Sequence, residues 1–198
     1  MEYSRAISQI SEIHQHLTRT EVYRGYRPVP VALSGVVGLM AAAVQTPGLA
    51  AASPVAFVMF WSTVAALAAV VGSSEIAFNF VLRENAFERR RTRIVIGQFL
   101  PSLLAAVIVT LVFVRLSASL VPLLPGLWAL MFGVAVFGAR LSLPRATGWV
   151  ALFYFCAGVW LLAQSGHGSP SAWSVGGTFG AGQLLAALVL AAGREREK

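Results

Sequence analysis

The chain has 198 residues, of which 57% are hydrophobic and 12% charged, and it contains no Asp. Its mean hydropathy is +0.73. A soluble domain carries about 25% charge, so a chain this poor in charge cannot cover a water-soluble fold, and lipid is the expected solvent. The net charge of +7 does not indicate nucleic acid. The basic residues lie in gaps between apolar runs, where they serve as topology signals and meet anionic headgroups.

The first predicted element is an amphipathic helix over residues 3–22. Tyr3, Ile7, Ile10, His14 and Leu17 fall on one stripe at three- and four-residue steps. Such a stripe suits the membrane interface, the helix bundle or a protein partner. Glu12 and His16 share a face of this helix, but His14 points about 200° away from its i±2 neighbours. Two ligands do not make a metal site. Arg5, Arg19, Arg24 and Arg27 precede the apolar stretch, and no small-residue cleavage site leads into a soluble domain, so the N-terminus is expected to be retained.

The spans follow from the distances between charges. Residues 28–74 form a charge-free run of 47, 94–114 of 21, 116–139 of 24 and 146–193 of 48. One helical crossing takes about 20 apolar residues, so the short runs are single crossings and the long ones double. Thr46-Pro47-Gly48 with Ser53-Pro54 divides the first long run. Ser165-Gly166-His167-Gly168-Ser169-Pro170 divides the second. The prediction is an all-α integral membrane protein of six spans, roughly 31–50, 54–80, 94–116, 123–141, 147–165 and 171–193, forming a domain over 30–193. Helices are chosen over barrel strands because 103–114 is apolar at nearly every position, with no polar alternation.

Orientation follows from the positive-inside rule. Residues 1–29, the 83–93 segment, Arg140 with Arg145, and the 194–198 tail hold 14 of the 15 basic residues, leaving Arg115 on the other side. Both termini are expected in the cytoplasm, with the chain in a bacterial inner membrane. Trp128, Trp160 and Trp173 fall near outer span ends and Trp149 near an inner one, as an interfacial belt. The outer loops are too short for an extracellular domain.

Glu75 is the only acidic residue within an apolar span, and an intramembrane ionisable group is a functional candidate by default. Asn79 and Gln98 lie at similar depth and complete a candidate polar cluster. Glu75 lies eight residues before Arg83, about 12 Å along a helix axis, a shallow position that also fits a structural polar cluster. The segment 83–93 is expected to prolong the second helix and turn back. Its Arg83, Arg89, Arg90, Arg91 and Arg93 are expected to contact anionic lipid or a partner. Gly176 and Gly180 form a GxxxG spacing in the last span, and Gly133 and Gly138 lie in the fourth. Packing within the bundle is the favoured role, over a homodimer face or a substrate-lining surface. Cys156, the single cysteine, reads as a small packing residue inside a span.

All three His lie outside the spans, and the chain has no HExxH, no cysteine pair, no intramembrane Ser–His couple, no GxxxxGK[ST] and no TVGYG-like filter. Buried haem, zinc, serine protease, ATPase and potassium-filter chemistry are therefore disfavoured, and no cofactor or metal is expected.

Five segments carry a resemblance. They are Glu12-Ile13-His14-Gln15-His16-Leu17, Glu21-Val22-Tyr23-Arg24-Gly25-Tyr26-Arg27, Glu88-Arg89-Arg90-Arg91-Thr92-Arg93 with Gln98-Phe99-Leu100-Pro101, Pro125-Gly126-Leu127-Trp128, and Phe179-Gly180-Ala181-Gly182-Gln183-Leu184-Leu185. These resemble six-span inner-membrane proteins of bacteria whose own activity is unassigned. The likeness covers most of the chain and implies no activity.

Three functional readings follow. The favoured one is an accessory or regulatory membrane subunit acting through residues 3–22 and the basic loop. The second is a small-solute or proton-coupled carrier using Glu75. The third is a lipid-modifying enzyme, ranked last because no nucleophile or acid–base pair is present.

Overall fold

The computed structural model describes residues 27–82, 86–140 and 142–195; for 51, 75, 79, 86–88, 91, 194 and 195 only the backbone is described. The N-terminal helix expected over 3–22, with Glu12, His14 and His16, lies outside the described residues, as does Arg83. Among the described residues there is no strand. Six principal helices run α1 Pro28–Val44, α2 Pro54–Leu82, α3 Ala86–Leu116, α4 Leu124–Ala139, α5 Thr147–Gln164 and α6 Ala172–Glu195. Five stretches, lying in α2, in α3, in α4 with the turn before it, in α5 with the turn after it, and in α6, are long and apolar enough to cross a membrane; α1 is a shorter apolar helix.

The helix ends have local causes. Proline fits the first turn of α1, where its missing N–H leaves no bond unmade, so α1 starts at Pro28 rather than the expected 31. It stops at Val44 instead of 50, because a residue before proline is driven out of the helical region. Gln45 is already extended at ψ 130°. Gly48 then takes a left-handed φ of 77° that only glycine adopts readily. The single turn Leu49–Ala52 follows. Ser53 caps α2 by accepting the Ala56 N–H on its hydroxyl at 3.2 Å.

The third helix begins much earlier than the expected span. It is described from Ala86, so Arg89 to Arg93 sit on α3. Arg89 Nη2 donates to the Val81 carbonyl at 3.2 Å, linking α3 to the last described turn of α2. Pro101 lies inside α3. Before α4, Ser117 caps the 3₁₀ turn Ala118–Leu123 by accepting the Ser119 N–H.

Packing follows side-chain size. The closest pairs are α1 on α6 and α4 on α5, followed by α1 on α2 and α3 on α4, while α2 and α3 touch only slightly. In the α1–α6 seam a methyl added to Gly35 would lie 2.9 Å from the Gly180 carbonyl, and one added to Gly180 would lie 3.0 Å from the Gly35 carbonyl. Gly126 of α4 and Gly158 of α5 are reciprocal in the same way, each 2.9 Å from the other's carbonyl by that measure. Small residues let helix backbones approach closely where lipid supplies no hydrophobic drive.

Between these seams sits an aromatic core. Phe132 meets Tyr154 at 4.9 Å and Phe179 at 5.7 Å between ring centroids, edge to face. Tyr154 is fully buried, its hydroxyl donating to the Phe179 carbonyl at 3.4 Å. A second cluster, Phe57, Trp61, Val121, Leu124 and Val175 among others, closes one end of the bundle. Smaller clusters around Val95 with Ala139 and around Val31 with Leu190 close the opposite end, beside the α2–α3 turn.

Candidate functional site

The sequence placed its candidate chemistry at the α2–α3 end. Glu75 and Asn79 lie on the last three turns of α2, and their side chains fall outside the described residues. Gln98 lies on α3 and accepts from the Ser142 hydroxyl at 3.4 Å, across the turn that follows α4. The described contact of this cluster therefore ties α3 to the α4–α5 connection.

The arginines divide by role. The Arg89 and Arg93 guanidiniums stand 5.6 and 5.9 Å from the centre of the Phe80 ring, within cation–π reach. Arg89 also binds Val81, so it is occupied in joining α2 to α3. Arg90 is exposed; the Arg91 side chain is outside the described set. Arg140 stacks on Phe137 at 3.9 Å, a further cation–π contact at this end.

Gly176 and Gly180 face α1: a methyl on Gly176 would press on the Gly38 carbonyl, Ala42 and the Trp61 ring. Gly133 lies against Phe155 and Tyr154, whereas Gly138 is exposed, with no atom nearer than the Gln98 carbonyl. Trp128, expected near an outer span end, lies near the start of α4, and its indole N–H donates to the Thr110 hydroxyl at 2.8 Å in the α3–α4 seam. One expectation is corrected. Cys156 is not a packing residue but exposed on α5, on the same stripe as Leu152, Val159 and Trp160, which are also exposed.

A concavity lies at the opposite end of the bundle, where α5 returns into α6. It is an open groove of about 350 Å³, walled by Pro122, Pro125 and Leu161 on one side and by the Ser165–His167 turn and the segment to Ser174 on the other. Trp160 and Trp173 stand in its lining, 60% and 57% exposed. None of Asp, Glu, Lys or Arg lines it. The signal in the sequence was two tryptophans flanking a Ser/Gly/His/Pro turn. It was read as a helix break and interfacial belt, since a linear spacing cannot show that Pro122 and Pro125, some 40 residues earlier, close the other wall.

Among the described residues three buried polar atoms stand without a partner: Gln45 Oε1 just beyond α1, Trp61 Nε1 on α2 and Arg89 Nε on α3. Among the described residues no group of three His, Cys, Asp or Glu converges as a metal site. Among the described residues the polar groups at these two ends are guanidiniums, indoles, amides, hydroxyls and the His167 imidazole. Comparison with protein-family models, curated proteins and solved structures finds no match for the chain.

Proposed function

We propose that this chain is an accessory subunit of the bacterial inner membrane, which joins a larger membrane protein through α2. The supporting observation is where small side chains are left uncovered. Inside the bundle, small residues mark the seams where helices meet. α2 carries a further small-residue stripe, Ser62, Ala66, Ala69 and Ser73, that is exposed along its length. α2 also exposes Met59, Leu67 and Val70 beside this stripe, whereas over 103–112 of α3 every exposed side chain is large: Leu103, Leu104, Val107, Ile108, Leu111 and Val112. Large apolar side chains suit lipid, whereas small ones are enriched where a second helix packs. On this reading α3 faces lipid and α2 faces a partner. The arginine-rich end lies in the cytoplasm by the positive-inside rule, where exposed Arg90 meets anionic headgroups and residues 3–22 offer a second contact.

A photo-crosslinking amino acid placed at Ala66 in cells tests this. A discrete adduct with another membrane protein is expected, absent when the probe sits at Leu104 and lost when Ala69→Trp fills the stripe. Adducts only with a second copy of this chain, or equal adducts from both positions, would remove the accessory reading.

A further inference from the structure

The groove between α5 and α6 has a lining whose hydrogen-bonding state can be worked out residue by residue. The Ser165 hydroxyl donates to the Leu162 carbonyl at 2.7 Å, and the Ser174 hydroxyl donates to the Ser171 carbonyl at 2.6 Å. Each has spent its proton and presents only lone pairs. The Ser171 hydroxyl accepts the Ser174 N–H at 3.2 Å and keeps its own proton to donate. Gln164 adds an amide with two donors and an acceptor, and its side chain makes no hydrogen bond among the described residues.

This mixture selects a ligand class. A phosphate or carboxylate offers acceptors alone and calls for Arg, Lys or a run of donors. An ammonium calls for a carboxylate or a closed aromatic cage. No Asp, Glu, Lys or Arg lines this groove; His167 does, and its imidazole offers a ring N–H donor and, in the neutral form, a ring nitrogen acceptor. Donors and acceptors side by side without formal charge complement hydroxyl groups, each of which both donates and accepts. The two exposed indoles add flat apolar faces, on which the C–H faces of a sugar ring can rest.

The groove also has an apolar exit. Leu152, Val159 and Trp160 are exposed on one stripe of α5 and run from the groove down toward the middle of the helix. An alkyl chain leaving the groove would follow this stripe in the bilayer. The geometry points to a binding site for an uncharged, sugar-headed amphiphile, its glycosyl group between Trp160 and Trp173 against Gln164 and Ser171, and its chain along α5. This site lies at the opposite end from Arg89–Arg93 and does not depend on the subunit reading above.

The test uses the full chain with 5-fluorotryptophan in phosphatidylcholine nanodiscs, read by fluorine NMR and assigned with single Trp→Phe variants. Octyl glucoside below its micellar concentration should shift the Trp160 and Trp173 signals saturably and leave Trp61 unmoved. Gln164→Ala with Ser171→Ala should weaken that isotherm about tenfold, as loss of one to two net hydrogen bonds implies, with helicity by circular dichroism retained. Octyltrimethylammonium, octyl phosphate and free maltose should bind at least tenfold more weakly. Equal binding of either charged probe, equal binding of maltose, or linear shifts at every tryptophan would each overturn the proposal, and these readouts use the wild-type chain alone.

Discussion

At the scale of single residues, the α1–α6 seam makes neighbouring glycines behave oppositely. A methyl at Gly176 would meet the Gly38 carbonyl, part of a backbone that cannot move aside, while one at Gly177 would find nothing closer than the Trp173 ring at 3.6 Å. Gly176→Ala is expected to cost about 1–3 kcal/mol through overpacking. Gly177→Ala should be neutral or stabilising by up to about 1 kcal/mol, because alanine is the better helix former. Unfolding in detergent micelles measures both; equal effects would show that the two glycines do not differ in packing. The sequence displayed both glycines within a GxxxG frame. It could not say which faced a neighbour, since that depends on how α6 is rotated against α1.

At the scale of the element, boundaries were set by a few polar groups. α2 owes its start to Ser53, whose hydroxyl takes an N–H that would otherwise be bare at the helix end. Ser53→Ala should destabilise the protein by about 1 kcal/mol, and Ser53→Asp should recover most of it. Hydrogen exchange at residues 55–57 is the local readout: faster exchange is expected in the alanine variant alone, and unchanged exchange would mean the cap contributes nothing. The arginine segment shows the limit of local reading. Its composition identified a basic segment, but the Arg89 contact to Val81 arises from α2 and α3 meeting, which no window of sequence contains.

For the whole molecule, the packing order places α2 and α3 at the two ends of an arc running α2, α1, α6, α5, α4, α3. The α2–α3 turn and the α5–α6 groove then lie at opposite ends of the bundle. The topology proposed above expects these ends on opposite sides of the membrane. In a Cys156→Ser background, Ser169→Cys, at an exposed position, should react with an impermeant maleimide in intact spheroplasts. Arg90→Cys should react only after lysis. Labelling of Arg90→Cys in sealed cells would invert the topology, and with it the side from which the groove is reached.

The amino-acid sequence on its own determined the solvent and the class of fold. Charge-free runs of 21 to 48 residues can satisfy their backbone groups in lipid only as helices, and proline and glycine mark where those helices stop. That reasoning is local, needing only hydropathy and hydrogen-bond closure along one segment. Which faces meet was decided by the tertiary structure alone. The reason is physical: every face of such a helix is apolar, so hydrophobicity cannot orient it. Rotation is chosen by shape, by glycines that admit a neighbouring backbone and by rings that interlock, as around Tyr154. The groove at Trp160 and Trp173 and the uncovered stripe on α2 are products of that choice.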